Sequence, residues 1–196
     1  MLGRLEVVAG CMFSGKTEEL LRRVERARIA KKEVLLFKPE LDTRYAVEEV
    51  VTHYGRSLAC HRLPADIAWP GFSQLITRHS SSLTNVFAFD EANFFGPGFP
   101  VLCEKLVSLG RRVIVAGLDL NFRGEPFGPM PELLALADEV LKLSAVCTVC
   151  GEPAIRSQRL VDGVPVTGGP EVFIGGLESY EPRCRGHFSP PAVLAL

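Results

Sequence analysis

The sequence carries no excess of either charge: 22 lysines and arginines stand against 23 aspartates and glutamates, a formal net charge of −1. That balance supplies no bulk attraction to nucleic acid or an anionic membrane, both of which favour a basic excess. No run of aromatic and basic residues suits the stacking of single strands. No apolar stretch is long enough to span a bilayer, and the first motif starts at residue 10, so neither a membrane span nor a signal or transit peptide is expected. Internal repeats and low-complexity tracts are also missing. The six cysteines do not form a disulfide framework: Cys11, Cys60 and Cys103 are scattered, while the other three fall near the C-terminus with metal-ligand spacing. A reducing, cytoplasmic setting is expected. His53, His61 and His79 have no companion ligands nearby and read as structural or surface residues.

What is present begins with Gly10-Cys11-Met12-Phe13-Ser14-Gly15-Lys16-Thr17, a position-by-position match to the phosphate-cradling pattern G-x-x-x-x-G-K-[ST]. The apolar run Leu5 to Ala9 ahead of it reads as a buried strand, and the stretch after it as a helix. In that context Gly10 and Gly15 allow a tight turn around a triphosphate, with the loop N–H groups and the positive end of the helix dipole facing inward. Lys16 would reach the terminal phosphates and the Thr17 hydroxyl would help hold Mg²⁺.

With 196 residues and 47% hydrophobic content, the chain suffices for one ample core, or for one domain with a small appendage. The first helix is predicted over Thr17 to Ala30, with Leu20, Leu21, Val24, Ala27 and Ile29 as its apolar stripe. Arg22, Arg23, Glu25 and Arg26 are assigned to a solvated face rather than a nucleic-acid patch. A strand over Glu33 to Phe37 completes a βαβ unit, so the sheet starts parallel. In the polar stretch that follows, Asp42 could order a metal-bound water and Arg44 could face phosphate; a solvated loop accounts for both equally. Ser57 to Leu63 is predicted as one strand, and Asp66 to His79 as a helix with Trp69 and Phe72 half-buried.

Asn85 to Phe89 is a short apolar run closing on Asp90-Glu91, the usual partner of a phosphate loop. Asp90 would bind the metal, directly or through water. Glu91 would accept the proton of an attacking hydroxyl, provided it lies within hydrogen-bond reach. A helix is predicted over Gly98 to Leu109, a strand over Arg112 to Ala116, a helix over Pro131 to Ala137 and a last strand over Glu139 to Ala145. The intervening loop Gly117 to Gly128 carries Leu118, Asp119, Phe122 and Phe127. Its two phenylalanines could line a pocket for a flat ring or pin the loop to the core.

After Ala145 the composition changes. Cys147-x-x-Cys150 and Cys184-x-x-His187 can present four soft ligands in the closed tetrahedral shell of a structural Zn²⁺. Between them Val161 to Gly176 is rich in glycine, valine and proline, and its exposed backbone could read the edge of a small base, with Tyr180 nearby.

These motifs together resemble the type II family of cytosolic, zinc-bearing thymidine kinases, over nearly the whole chain. The resemblance rests on residues 10–17, Asp42-Thr43-Arg44-Tyr45, Asp90-Glu91-Ala92-Asn93-Phe94-Phe95, Leu118 to Gly128, Cys147 to Cys150, Ile174-Gly175-Gly176, Tyr180, and Cys184 to His187. It implies an α/β, P-loop (RecA-like) fold with a mainly parallel sheet flanked by helices, plus a small zinc-binding lasso domain. The expected division is a kinase domain at 1–145, a zinc and lasso domain at 146–190, and a tail at 191–196. It implies transfer of the γ-phosphoryl of ATP to the 5′-hydroxyl of thymidine with Mg²⁺, Glu91 being the general base. Nucleotide contacts are expected from residues 10–17 and from Asp90, Glu91, Ala92 and Asn93. Substrate contacts are expected from Asp42, Arg44, Leu118, Phe122, Phe127, Glu171, Val172, Phe173, Ile174, Gly175 and Tyr180. Metal ligands would be Cys147, Cys150, Cys184 and His187 for Zn²⁺, and Thr17 and Asp90 for Mg²⁺. A homotetramer inhibited by dTTP is implied as well. Three departures stand out: Cys11 where the family usually has proline, Asn93 where it has glutamine, and His187 in place of a fourth cysteine. A DNA-acting phosphate-loop ATPase with a zinc ribbon is the alternative, disfavoured by the missing basic excess. Intact Lys16, Thr17, Asp90 and Glu91 disfavour an inactive nucleotide-binding protein.

Overall fold

The computed structural model describes residues 2–41, 49–51, 57–79, 84–166, 168–171 and 179–190. Asp42, Arg44, Val172, Phe173, Ile174 and Gly175 lie outside them. Strand β1 (Arg4–Gly10) runs through the glycine loop into α1 (Lys16–Ile29) and returns as β2 (Glu33–Pro39). Next come β3 (Glu49–Val51), β4 (Ser57–Ala59), β5 (His61–Leu63), α2 (Trp69–His79) and β6 (Thr84–Phe89). Helix α3 (Phe99–Ser108), β7 (Arg112–Gly117), α4 (Met130–Leu136) and β8 (Glu139–Leu143) follow. The C-terminal part comprises β9 (Ala145–Val146), β10 (Pro153–Ala154), β11 (Arg156–Val161), β12 (Val164–Pro165) and β13 (Tyr180–Arg183).

Six strands form one sheet in the order β5-β2-β6-β7-β1-β8, parallel at every pairing. Parallel strands covered on both faces read as continuous apolar runs, as the middles of β1, β6 and β7 do. Helix α1 covers one face, where Leu20, Leu21, Val24 and Ala27 pack on Val8, Leu36, Ala88, Ile114 and Ala116. The other face buries Leu5, Val7, Ala9, Val113 and Val115 beneath α2, α3 and α4. Its centre is a group of six phenylalanine rings, Phe37, Phe72, Phe87, Phe89, Phe95 and Phe99, with neighbouring centroids 4.4 to 6.5 Å apart. The order puts β7 between the strand that carries the glycine loop and the strand that carries the acidic pair. The C-terminal ends of all three therefore open on the same edge, where open α/β sheets bind ligands.

Four expectations are corrected. The stretch Ser57 to Leu63 is two strands broken at Cys60, because β4 pairs antiparallel with β3 while β5 joins the edge of the main sheet beside β2. Phe72 is fully buried rather than half-buried, and Ile29, at 82% exposure, lies past the end of the stripe it was assigned to. Arg23 is buried rather than solvated. Its guanidinium donates to Glu6 at 2.6 Å and Glu19 at 2.8 Å and pairs with Glu139 at 2.9 Å. Glu6 is itself buried and also binds Arg112 at 2.7 and 2.9 Å and Arg4 at 3.0 Å. This network joins β1, β7, β8 and α1 at the end of the sheet opposite the glycine loop.

The network makes stability depend on pH. Burial pushes the Glu6 carboxyl upward, but hydrogen bonding and charge from Arg112, with Arg23 and Arg4, bring it below its ordinary 4.5. Hydrogen bonding from Arg22 outweighs burial at Glu19 and, with Arg23, holds it down at about 2. A depressed carboxylate stabilises the fold above its unfolded value and loses that contribution as pH falls through its folded value. Stability should thus drop as pH is lowered from about 4.5 toward 2. Glu6→Gln, which leaves the buried Arg23 guanidinium and the half-buried Arg112 short of a counter-charge, should lower the unfolding free energy at neutral pH by roughly 3 kcal/mol. It should also flatten the acid limb. Urea titrations at pH 7 and at pH 3.5 check both, and equal losses at the two pH values would refute the linkage.

Candidate active site

The glycine loop has the geometry its sequence calls for. Gly10 has φ 151°, and a Cβ there would sit 2.5 Å from the Leu143 carbonyl of β8, so the close approach of the neighbouring strand requires glycine. Gly15 caps α1 in the left-handed conformation at φ 84° and offers no side chain to the helix. The first N–H groups of α1 are therefore not capped by a side chain at its N-terminus, which is the condition for an anion site there. Lys16 is buried, and its Nζ donates to the Cys11 carbonyl at 2.7 Å. Burial lowers its pKa, against the pull of Glu91 and other nearby anions. Ser14 Oγ donates to the same carbonyl at 2.8 Å.

Cys11 leaves the loop intact and ties it to the C-terminal part. Its thiol, pushed up by burial, donates to the Ala154 carbonyl of β10 at 3.2 Å. The Met12 amide donates to Ser157 Oγ of β11 at 3.0 Å. Phe13, in the left-handed region at φ 64°, packs against a small cluster of Cys11, Ala145, Cys147 and Ala154. The phosphate loop and the cysteine-bearing segment thus share one apolar contact.

At the end of β6 the two carboxylates take different surroundings. Asp90 is buried and accepts from Thr17 Oγ1 at 3.1 Å through Oδ2. Burial first, and the neighbouring Glu91 carboxylate second, push it up to about 7. A hydroxyl and a carboxylate brought together beside the glycine loop are hard oxygen donors of the kind that Mg²⁺ uses. Glu91 is half-buried and sits at φ 51°, ψ 40°, a left-handed backbone that a residue with a side chain rarely adopts. It caps a single 3-10 turn, Ala92–Phe94, in which Ala92 and Asn93 are buried. Asn93 Oδ1 accepts from the Leu118 amide at 2.9 Å. Its shorter amide is thereby used to align the 117–128 loop. The loop lies tight against that turn: a Cβ on Gly128, at φ 51°, would come within 2.3 Å of the Asn93 carbonyl oxygen.

Within that loop Phe127 is an anchor, buried and edge-on to Phe94 at 5.6 Å. Phe122 is also buried, but beneath Arg159 of β11, whose guanidinium carbon lies 3.7 Å from the ring centroid. Leu118 is half-buried and Tyr180 is buried at the start of β13. Asp119, buried two residues past the end of β7, pairs with Lys142 of β8 at 2.7 Å. Glu171 is exposed, and its Oε1 accepts from Asn121 Nδ2 at 2.9 Å.

The four metal ligands expected from spacing do come together. The donor atoms of Cys147, Cys150, Cys184 and His187 all lie within 4.8 Å of one another. Cys150 Sγ is 3.7 Å from Cys184 Sγ, and His187 Nδ1 is 3.2 Å from Cys184 Sγ and 3.9 Å from Cys147 Sγ. Ligands about 2.3 Å from a tetrahedral Zn²⁺ would be separated by roughly 3.7 Å, so the set fits that ion. The Cys147 thiol is brought down to about 6, since amide N–H groups of Cys184, Val149 and Cys150 outweigh the effect of burial.

Two site-side residues have no local signal in the sequence. Arg159 and Asn121 are polar side chains buried to 4% and 2% exposure, each joining the residues around 168–171 to the 117–128 loop. The only hint is the period of β11, which puts Ser157 and Arg159 on one face.

A family model described as thymidine kinase matches residues 3–188. A thymidine kinase of Deinococcus deserti is 50% identical over 189 residues, covering 94% of this chain and 94% of that protein.

Proposed function

The chain belongs to the thymidine kinase family, and from that premise we propose that it transfers the γ-phosphoryl group of ATP to the 5′-hydroxyl of thymidine. The observation that carries the reading is the meeting of three sheet ends. The uncapped N-terminus of α1 with Lys16, the Thr17–Asp90 pair, and a loop bearing Phe122 stand on one edge of the sheet. Phosphoryl transfer asks for positioning and charge stabilisation more than for covalent chemistry, and these parts supply both.

In this reading the amides of residues 10–17 and the Lys16 ammonium hold the phosphates. Lys16, resting on the Cys11 carbonyl, has to swing away from it to do so. Thr17 and Asp90 would hold Mg²⁺, which when bound offsets the charge of the phosphate oxygens. Glu91 takes the proton from the 5′-hydroxyl. Phe122 and Tyr180 border the thymine ring, and backbone around Glu171 to Gly175 reads its edge. Cys147, Cys150, Cys184 and His187 would hold a structural Zn²⁺ that clamps the base of the C-terminal segment. We assign residues 1–145 to the kinase domain and 146–190 to the zinc and lid domain, and infer a cytoplasmic homotetramer restrained by dTTP. No helix among the described residues is long and apolar enough to cross a membrane.

The test is ADP release by the purified protein with Mg-ATP, run in parallel with thymidine, deoxycytidine, deoxyguanosine and single-stranded DNA. Stimulation by thymidine alone is expected. Stimulation by DNA alone would overturn the reading and make the cysteine-bearing segment a nucleic-acid contact.

A further inference from the structure

Arg159 makes contacts that none of the roles above uses. It lies on β11, the middle strand of the C-terminal three-stranded sheet, buried to 4% exposure. Its Nε donates to Tyr180 Oη at 2.9 Å, its Nη1 to the Pro170 carbonyl at 2.6 Å and its Nη2 to the Glu171 carbonyl at 3.0 Å. The flat guanidinium stacks 3.7 Å from the Phe122 ring centroid and 5.4 Å from that of Tyr180. One side chain thus joins three stretches far apart in sequence: the 117–128 loop, the backbone leading into residues 172–178, and the start of β13.

We propose that Arg159 is the positioning residue for the acceptor nucleoside. It sets the spacing of Phe122 and Tyr180 and fixes the backbone at Pro170 and Glu171 before substrate arrives, so the base enters a slot that is already formed. The inference rests on the reading that Phe122 and Tyr180 border the base. The geometry favours arginine for this task. A planar fork gives each acceptor its own N–H while its face lies on the ring, and a lysine ammonium, a compact point charge, does neither at once. Preformed sites bind tighter because ordering is not deducted from the binding energy. None of these contacts is made to Lys16, Thr17 or Asp90, and the bond from β11 to the Met12 amide is made by Ser157, so the donor nucleotide should not sense them.

The test compares wild type, Arg159→Lys and Tyr180→Phe by calorimetric thymidine binding and by separate KM values for thymidine and ATP. Zinc content and Tm are measured alongside. Arg159→Lys should raise the thymidine Kd and KM about tenfold or more while the ATP KM stays within about twofold. Tyr180→Phe, which deletes one acceptor and keeps the ring, should give a smaller rise of the same kind. Unchanged thymidine binding in Arg159→Lys overturns the inference, as does a parallel rise of both KM values with loss of zinc. Failure of the wild type to bind thymidine overturns the base-site reading and this inference with it. Wild-type turnover with unaltered variants overturns this inference alone.

Discussion

Replacing Glu91 with glutamine is expected to leave ATP and thymidine binding in place and to lower kcat by roughly two to four orders of magnitude. The substitution keeps the shape of the side chain and one acceptor oxygen, turns the other into an NH₂ donor, and removes the group that can take a proton. The local backbone is the reason for assigning that role to Glu91 rather than Asp90. Asp90 is buried against the Thr17 hydroxyl. Glu91 departs from the strand through a left-handed turn at φ 51°. A residue with a side chain held in that region costs about 1–3 kcal/mol and persists where the surroundings over-determine it. Here the 3-10 turn, the Asn93–Leu118 hydrogen bond and the close contact with Gly128 do so. Single-turnover product formation, with binding followed by calorimetry, separates the possibilities. A normal kcat would remove Glu91 from the proton transfer, and lost affinity for both substrates would make its role structural.

Cys184→Ala should release zinc and weaken both substrate sites together. Structural zinc sites contribute folding free energy directly, because the ligand cluster does not exist in the unfolded chain. Cys184 follows β13, which pairs with β11, the strand that supplies Ser157 to the Met12 amide and Arg159 to Phe122. Cys147 shares an apolar cluster with Cys11 and, through it, with Phe13 of the phosphate loop. Losing the clamp should therefore cost about 3 kcal/mol or more, near 10 °C in Tm for a chain of this size. The KM for ATP should rise as well as that for thymidine. Metal analysis of the purified variant, beside a thermal melt, checks the claim. Unchanged zinc content would refute the ligand set, and zinc loss with an unaltered ATP KM would refute the coupling to the phosphate loop.

Motifs whose meaning is set within a few residues were readable from the chain alone. The glycine loop is one: the left-handed φ of Gly15 favours glycine and the tight passage of Gly10 requires it, so residue type reveals them. The parallel sheet is another, because continuous apolar runs alternating with amphipathic stripes admit few arrangements. Each half of the Cys147, Cys150, Cys184 and His187 cluster was visible in its own two-residue spacing.

What the sequence could not disclose lies in contacts between stretches far apart. Arg23 reads as a wet-face arginine until the fold brings Glu6, 17 residues away, beneath it, and Glu6 meets Arg112 across 106 residues. The strand expected over Ser57 to Leu63 divides because its halves have partners in different sheets. Arg159 is one polar residue in a short strand until Phe122, Tyr180 and the Pro170 carbonyl close around it. Backbone chemistry and hydrophobic period are local properties, so the sequence by itself determined the inner strands of the main sheet, the helices beside them, the glycine loop and the family. A buried charge takes its meaning from partners that only folding supplies, so the tertiary structure decided which of those charges hold the sheet and which shape the site.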